Sequence, residues 1–217
     1  MKLNITGFLL LFCIIINSAS AQKSDFRFGL KAMPQLEWLK PDTKGVSSDG
    51  TKLAFSWGFL AEYYFADNYA VATGVELAAR SGKIRILDTL KADIRLKYID
   101  LPITIKMRTN EIGYIRYFGQ FGFTPGINIS AKSDSKGNTF TKDDVDIKSD
   151  IVPVNVGLLI ALGLEYTLGG NTALVVSASF NNGFIDIYKS SYTDGNGNKV
   201  NIKMMSNYVA LNVGVLF

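Results

Sequence analysis

The sequence contains no histidine, and its single cysteine, Cys13, lies near the N-terminus. Histidine is the usual general base of hydrolase triads and the commonest ligand of transition metals, so its absence excludes these enzyme classes and most metal centres. A chain with one cysteine also cannot form an internal disulfide. We therefore predict no catalytic residue, no cofactor and no metal site, and we expect the fold alone to supply stability.

Long apolar runs are scarce as well. Beyond the first 21 residues there is no stretch of about 20 apolar residues, the length that a membrane-spanning helix needs. The 23 Lys and Arg residues nearly balance the 19 Asp and Glu residues, and a net charge of +4 is too small to indicate a nucleic-acid partner. Apolar residues nevertheless make up 47% of the 217 residues, which is ample for one domain.

The N-terminus has the pattern of a secretory signal peptide. Lys2 supplies a positive charge, residues 7–16 are continuously apolar, and an A-x-A motif ends at Ala21. This pattern predicts cleavage between Ala21 and Gln22 and export of the rest of the chain. A retained anchor helix is the alternative, but the apolar run is too short to span a bilayer. The predicted domains are a signal peptide, residues 1–21, and one exported domain, residues 22–217.

Apolar side chains occupy every second position in much of the exported domain. The pattern is clearest between Lys52 and Arg80, and its first half contains Leu53, Phe55, Trp57, Phe59, Ala61, Tyr63 and Phe65. Strict alternation indicates strands with two different faces. The bulky face is rich in aromatics, while the other face carries Gly, Ala, Glu62 and Glu76. This arrangement predicts strands with lipid outside and a polar interior. A soluble, lipocalin-like barrel with the faces reversed is the alternative.

Eight strands of this kind can be placed, each long enough for the roughly 9–11 residues that a tilted membrane strand needs. They cover residues 26–36, 52–66, 69–80, 93–108, 113–132, 151–168 and 172–185, with a last strand that ends at Phe217. Tight turns near Asp67, Asn110 and Gly169 alternate with long links at 39–51, 81–92, 133–150 and 188–199, although Ile84 and Ile86 extend the strand pattern into the second link. Short periplasmic turns and long outer loops are typical of outer-membrane proteins. The predicted fold is therefore all-β, an eight-stranded antiparallel transmembrane β-barrel in the outer membrane.

Two local features constrain this arrangement. Glu62 and Glu76 both face the interior only if the numbers of residues paired across their hairpin have an even sum, which requires a three-residue loop. The same argument predicts three-residue loops, each with an Asn or Gly in the left-handed region, at 67–69, 110–112 and 169–171. Four prolines remove hydrogen-bond donors from proposed strands, so we expect β-bulges or strand ends at Pro34, Pro102, Pro125 and Pro153.

Residues 98–106, Y-I-D-L-P-I-T-I-K, and the glycine-rich aromatic segment 117–126 form a distinctive block. Together with the C-terminal N-V-G-V-L-F, this block resembles the PorT-like outer-membrane β-barrel family of Bacteroidota, which are Gram-negative. The resemblance implies the same barrel, and Phe217 is similar to the terminal signal that barrel-assembly machinery recognises. The family's namesake is required for type IX secretion, which implies secretion-system proteins as partners, beside outer-membrane lipid and the assembly machinery. Many relatives have no assigned role, so the resemblance bears on fold more than on function.

Charged residues on the inward parity lie at similar heights above the tight turns. They are Lys31, Glu62, Glu76, Lys106, Arg116 and Glu165. An eight-stranded barrel has an interior just wide enough to be filled by side chains, so these residues predict a self-neutralising plug of ion pairs. A proton or ion path is the alternative, and composition alone does not exclude a carboxylate pair of the glycosidase kind.

Two loop segments partly match calcium sites. Residues 194–198, D-G-N-G-N, begin with the spacing of an EF-hand loop but lack its following glycine and distant glutamate. Asp143, Asp144 and Asp146 lie close in sequence to Asp134 and Asp150. Turn chemistry explains the first segment and a solvated acidic loop explains the second, so neither is predicted to hold a metal.

The predicted function is that of a structural or accessory component of the outer membrane, which acts through partners and is not an enzyme. Protein secretion of the type IX kind is its candidate pathway. Two alternatives stay open. One is a surface adhesin that binds through its long loops, and the other is a small pore with a continuous water path past the charged plug.

Overall fold

The computed structural model of the protein describes residues 25–86, 90–137, 141–189, 191–193 and 199–217. The predicted signal peptide with its cleavage site at Ala21 and Gln22, and the segment 194–198, lie outside these ranges. Within them the chain is almost entirely strand, apart from one short 3-10 turn at Lys148–Asp150. None of the helical structure in the described part is long and apolar enough to cross a membrane.

The strands of the described residues are β1 (Phe26–Pro41), β2 (Val46–Ser48), β3 (Lys52–Ala66), β4 (Tyr69–Ile86), β5 (Leu90–Asp100), β6 (Ile103–Arg108), β7 (Ile115–Lys136), β8 (Thr141–Asp146), β9 (Val154–Gly169), β10 (Thr172–Gly183), β11 (Ser191–Thr193), β12 (Lys199–Asn201) and β13 (Met204–Leu216). A closed antiparallel ring runs from β1 through β3, β4, β5 with β6, β7, β9 and β10 to β13, which pairs with β1. β5 and β6 count as one barrel strand because both pair with β4 and β7. The ring therefore has the eight strands that the alternation predicted.

The exposure of the side chains confirms the predicted faces. Phe55 and Phe59 on β3 are each 57% exposed, while Glu62 on the same strand is 4% exposed. The exposed apolar side chains form a belt around the barrel, the apolar belt, which includes Leu30, Phe59, Val75, Ile103, Phe121, Leu162, Phe180 and Val213. Such an exterior suits hydrocarbon, and a closed ring leaves no unpaired backbone edge inside the bilayer. The alternative of a soluble barrel with reversed faces is therefore wrong.

The seam between β1 and β13 closes the barrel. Leu30 pairs with Val215, and the same register holds at both ends of the seam. Phe217 extends the pairing, because its N–H donates to the carbonyl of Phe28 at 2.7 Å and its carbonyl accepts from the Phe28 N–H at 3.3 Å. The terminal aromatic residue thus lies on the closing seam.

β4, β5 and β7 continue past the apolar belt on the side of the long loops. There β4 also pairs with β2, and β7 pairs with β8, which gives a five-stranded sheet in the order β2-β4-β5-β7-β8. We call this sheet the crown; it comprises β2, residues 81–86, 90–97 and 130–136, and β8. The extension of the strand pattern through Ile84 and Ile86 is therefore confirmed, whereas the predicted link at 81–92 is too long, because β4 runs to Ile86 and β5 begins at Leu90.

A bulge at Ile129 reverses the faces of β7 as the strand enters the crown. Below the bulge Asn128 is buried in the interior, and above it Ala131 and Ser133 are the buried residues. Lys132 consequently points outward, opposite Arg95 of β5. The alternation predicted for this strand therefore holds only as far as the bulge.

The hairpin of β3 and β4 has the predicted even sum, with Glu62 opposite Ala72. Only Asp67 and Asn68 lie between the two strands, and a bulge at Phe65 supplies the extra residue. Neither turn residue has a positive φ angle. The predicted three-residue loop is thus wrong, although both glutamates still face the interior.

The other two tight turns also differ from the prediction. Between β9 and β10 the turn consists of Gly170 and Asn171, again with a register shift that restores the even sum. Between β6 and β7 the reversal lies after the predicted loop 110–112, at Gly113 and Tyr114. Gly170 and Gly113 have φ angles of 58° and 67°, which glycine adopts without strain. Both turns therefore contain a glycine with a left-handed backbone conformation, but neither loop has the predicted length.

No proline coincides with a bulge in the described strands. Pro102 separates β5 from β6 without shifting the register against either neighbour. Pro34 and Pro125 lie within β1 and β7, each at a point where pairing with one neighbour lapses. Pro153 precedes β9 and thus lies at a strand end, as expected. Each proline lacks an N–H donor, and the sheet accommodates it by leaving out one hydrogen bond of the ladder. The expectation of bulges at prolines is therefore wrong.

Candidate functional site

Charged side chains alternate with glycine and small residues on the inward face of the barrel. Inward positions recur every second residue on staggered strands, so side chains distant in sequence meet at one height. Ten acidic or basic side chains of the described residues line the lumen: Arg27, Lys31, Glu37, Glu62, Glu76, Arg80, Asp100, Lys106, Arg108 and Glu165. Five are basic and five are acidic, so their formal charges balance.

On the side of the tight turns, Lys106 and Glu165 form the centre of an ion-pair cluster. The Lys106 Nζ lies 2.5 Å from Oε1 of Glu62 and also contacts Oε1 of Glu165. Arg27 donates from Nη1 to Oε2 of Glu165 at 2.8 Å, and Nη1 of Arg108 lies 3.6 Å from the same oxygen. The lysine and both glutamates are at most 4% exposed. We call these five residues the turn-side cluster.

Aromatic rings complete the surroundings of the turn-side cluster. The Tyr64 hydroxyl donates to Oε2 of Glu62 at 2.8 Å. The Arg108 guanidinium lies 3.8 Å from the centroid of the Tyr64 ring, and the Lys106 ammonium lies 4.2 Å from that of Phe118. A cation over a ring face is attracted by the negative face of the ring. Both cations thus have an anionic partner and an aromatic partner.

Lys31 and Glu76 form a separate pair deeper in the lumen, with Nζ 2.6 Å from Oε1. They lie on β1 and β4, and β3 runs between these strands. Gly58 of β3 is paired with Lys31 on one side and with Glu76 on the other. A Cβ atom on Gly58 would lie 2.5 Å from the Val75 carbonyl oxygen and 3.0 Å from Cγ of Glu76. The missing side chain therefore lets the ion pair bridge the strand.

Towards the crown, Arg80 is 1% exposed and pairs with Asp100. Its guanidinium carbon lies 5.5 Å from the centroid of the Tyr98 ring and 5.0 Å from that of Tyr208. Glu37, which is opposite Tyr208 in the backbone ladder, adds a second buried carboxylate. The arginine thus lies between two rings and forms a short ion pair away from bulk water.

Several polar atoms near Asp100 have no hydrogen-bond partner among the described residues. Its Oδ1 atom is one of them, and it lies so near Gly126 that a Cβ atom there would be 2.0 Å away. The side-chain amides of Asn155 and Asn181 are also without a partner, and these residues are 1% and 0% exposed. Buried donors and acceptors that occur together in this way are usually satisfied by ordered water. Beside the ion pair of Arg80 and Asp100, this layer of the lumen therefore contains neutral polar groups.

Beyond Arg80 the interior changes from polar to apolar. The centre of one apolar cluster is formed by large aliphatic side chains and a methionine, each at most 2% exposed, namely Leu39, Ile94, Leu96, Ile151, Ile187 and Met204. We call this cluster the apolar stopper. It fills the lumen inside the crown, where the outer surface is no longer apolar.

The lumen opens at the turn side into a cavity of about 330 Å³. Arg27, Tyr64, Arg108 and Arg116 contribute to its walls. A second cavity beyond the turn-side cluster, beside the pair formed by Lys31 and its partner glutamate, measures only about 40 Å³, which is room for about one water molecule. The lumen is therefore filled by side chains over most of its length.

Arg116 does not join the turn-side cluster. It is the second residue of β7 and pairs with Glu111 in the preceding turn, and its Nη1 donates to Oγ1 of Thr167 at 3.2 Å. The reversal at Gly113 and Tyr114 leaves Arg116 only one residue above the rim, at the open mouth. The other five predicted residues all lie in the lumen, in two separate groups.

The sequence interpretation left out several lumen residues. Arg27 precedes Lys31 by four positions on the same parity, so the alternation was a sufficient signal for it. Glu37 lies just beyond the predicted end of the first strand at Leu36, and the structure continues that strand to Pro41. The sequence did not indicate which charged residues pair with each other, because the register of the strands decides the pairing.

The acidic loop contacts basic side chains of the crown. Asp144 lies 2.5 Å from the Lys132 Nζ and 3.3 Å from Nη2 of Arg95. The hydrogen bond from Lys132 holds the pKa of Asp144 below its usual value of 3.8. Among the described residues no three side chains of His, Cys, Asp or Glu form a group that could hold a metal ion, and the other candidate segment, 194–198, lies outside them.

A closed eight-stranded ring with an apolar exterior and a polar, filled interior defines the class of outer-membrane β-barrels. The family model described as outer membrane protein beta-barrel domain matches residues 19–189, and the chain belongs to this family. The protein is therefore located in the outer membrane, with its apolar belt in lipid.

Solved structures of outer-membrane proteins are similar to this chain. The outer membrane protein OprG from Pseudomonas aeruginosa is 15% identical with a TM-score of 0.53, over 91% of this chain and 98% of that one. Neisserial surface protein A (14%, TM-score 0.47, 89% and 96%) and the attachment invasion locus protein Ail of Yersinia pestis (15%, 0.41, 88% and 97%) are also similar. The likeness to OprG shows the shared fold. A comparison with curated proteins finds no match.

Proposed function

We propose that the protein is a closed structural or accessory barrel of the outer membrane, which acts through contacts at its two ends and neither conducts nor catalyses. The observation that carries this proposal is the filled lumen. Ion pairs occupy its turn side, and the apolar stopper occupies its loop side. Ions would have to displace a buried pair and then cross an apolar core, and both steps are unfavourable.

Conductance of purified protein in planar bilayers tests this proposal. We expect a flat current over the voltage range at which a general porin, reconstituted in the same way, gives clear steps. Stepwise currents from the protein would support the small-pore alternative and overturn the proposal of a closed barrel.

The proposal that the protein is not an enzyme rests on the state of its inward carboxylates. Glu62 and Glu165 share Lys106, and Asp100 is paired with Arg80. A carboxylate held in an ion pair is a poor general base and has no proton to give as a general acid. The absence of histidine from the sequence supports the same conclusion.

We further propose that the protein is PorT-like and works with protein-secretion machinery of the type IX kind, as its resemblance implies. In the structure the block that carries the resemblance serves the lumen. Asp100 pairs with Arg80, Pro102 divides the strand, and Lys106 lies at the centre of the turn-side cluster. The residues that carry the resemblance therefore help to build the barrel interior, which supports a PorT-like interior for this protein. The secretion pathway needs a genetic test.

That test compares the secreted proteome of a strain lacking the gene with its parent and with a complemented strain. Loss of secreted type IX cargo, with precursors accumulating in the periplasm, is the expected result. An unchanged secreted proteome would remove this pathway but would leave the closed barrel intact as a proposal.

Two further contacts belong to the proposal. Barrel-assembly machinery is the expected partner of the terminal strand, so Phe217→Ala should lower insertion into the outer membrane relative to Phe184→Ala, which also replaces an exposed phenylalanine. The crown favours a surface-interaction role as a second candidate, because its sheet extends beyond the apolar belt. Shortening residues 133–150 should then change binding to surfaces without changing viability.

A further inference from the structure

The two rims of the barrel carry different charged residues. At the turn side the described charged residues outside the lumen are Asp25, Asp67, Glu111 and Arg116, with no lysine. At the loop side, the described ranges contain thirteen lysines and two arginines against nine aspartates. The charges of the lumen balance and do not contribute to this difference between the rims. The excess of basic residues at the loop side is therefore a property of the outer surface.

Two of the loop-side lysines lie where the apolar belt ends. Lys97 is two positions from Ile99, which is 45% exposed, on the outward face of β5. Lys40 is two positions from Trp38 on the outward face of β1. Each lysine is exposed and is the first charged side chain met on its strand beyond the apolar residues.

Two more lysines are brought to the same boundary by the fold. The bulge at Ile129 turns Lys132 outward just beyond the belt. Lys148, in the 3-10 turn, donates from Nζ to the carbonyl oxygen of Ile129 at 3.3 Å, which holds its ammonium group at the edge of the belt. We call Lys40, Lys97, Lys132 and Lys148 the basic rim.

The basic rim is not neutralised within the described part of the protein. Lys132 pairs with Asp144 at 2.5 Å. Lys40 and Lys97 have no carboxylate within ion-pair distance among the described residues. A lysine at the end of an apolar surface extends its ammonium group to the level of the lipid headgroups. Two such groups without a protein counter-ion are free to bind an anion at the membrane surface.

We propose that the basic rim binds phosphate groups of the lipid in the outer leaflet. Short turns face the periplasm in this class of barrel, so the loop-side rim meets the outer leaflet. Lysine is a common phosphate ligand, and basic residues at an anionic membrane surface each strengthen binding about fivefold. The proposal rests on the outer-membrane location and is independent of the accessory role.

A charge-matched pair of variants tests the proposal. Lys40→Gln/Lys97→Gln removes two charges at the membrane boundary, while Lys83→Gln/Lys136→Gln removes two exposed charges farther out on the crown. The full protein in zwitterionic detergent is titrated with lipopolysaccharide, and binding is followed by the fluorescence of its two tryptophans. We expect the rim variant to bind about 20-fold more weakly and the crown variant to bind within about twofold of the parent. Lys40→Arg/Lys97→Arg should retain binding.

Three results would overturn the proposal. The first is equal weakening by the rim and crown variants, which would indicate general charge attraction. The second is unchanged binding of dephosphorylated lipopolysaccharide. The third is displacement by inorganic phosphate at equal phosphate concentration, which would indicate a site for the free anion. Circular dichroism and heat-dependent gel migration establish that each variant is folded before it is titrated.

Discussion

β4 and β5 pass through two environments, and their side chains change accordingly. Within the apolar belt, Leu77 points outward and Glu76 is buried in the lumen. A few residues farther along the same strand, Lys83 points outward and Ile84 is buried, and Ile94 repeats the change on β5. The backbone ladder continues through both regions without a register shift between these two strands. The part of the sheet in the membrane and the part in the crown are thus continuous, but their polarity is reversed. In the membrane the outer face is apolar and the inner face polar, and in the crown the outer face is polar and the inner face apolar.

This difference teaches what a β-barrel interior requires. In the crown, water lies outside, so the interior must bury apolar surface to be stable. In the membrane half, lipid accepts the apolar side chains, and the interior is held together by ion pairs and hydrogen bonds, so that removing one partner leaves an uncompensated buried group. The two halves should therefore respond differently to substitution.

The largest expected effect is in the turn-side cluster. Lys106→Met leaves Glu62 and Glu165 with fewer counter-charges in a buried site, so we expect a loss of about 3–5 kcal/mol in the free energy of unfolding. Urea unfolding in phospholipid vesicles measures this loss. Adding Glu62→Gln removes the uncompensated charge and should restore at least half of the stability. A loss below about 1 kcal/mol for the single variant would contradict buried pairing.

A leucine in each half gives the next comparison. Leu96→Ala in the apolar stopper should lower the free energy of unfolding by about 3 kcal/mol, because it loses apolar burial and leaves a cavity. Leu162→Ala on the lipid-facing surface should lose about half as much, because lipid fills the space. The same vesicle unfolding assay compares them. Equal losses would mean that the crown interior is packed no more tightly than the lipid contact.

Glycine positions in the membrane half give a smaller effect. Gly58→Ala places a Cβ atom 2.5 Å from the Val75 carbonyl oxygen and beneath the bridge from Lys31 to Glu76, so we expect a loss of about 1–3 kcal/mol. Gly119→Ala is the control, because its nearest neighbour would be 3.6 Å away. The unfolding midpoint of Gly58→Ala should be clearly lower than that of Gly119→Ala. Identical midpoints would show that Gly58 is not required for steric reasons.

The smallest effect is expected at the exposed edge of the crown. The hydrogen bond from Lys132 lowers the pKa of Asp144 in the folded protein relative to the unfolded chain. The stabilising pair is therefore complete above the unfolded pKa and is lost as the pH falls through the lower, folded pKa. Carboxyl NMR titration should detect the shift, and Lys132→Gln should raise the pKa toward 3.8. Because both side chains are exposed, global unfolding should hardly change.

Much of the interior could be predicted from alternation alone. The inward positions of Lys31, Glu62 and Lys106 follow from counting by twos along three strands. Arg116 obeys the same count yet lies at the mouth, because the turn before β7 is displaced to Gly113. A parity argument determines the face of a residue, whereas its height depends on where the turn reverses.

By itself the sequence determined the eight strands and their two faces, because a strand repeats every two residues and lipid selects apolar side chains wherever it touches them. Only the tertiary structure decided which charges pair, since that depends on register across several strands. Lys31 meets Glu76 because Gly58 lies between them, and Arg80 meets Asp100 because β4 and β5 are neighbours. These partners come from distant parts of the chain, and closure of the ring brings them together.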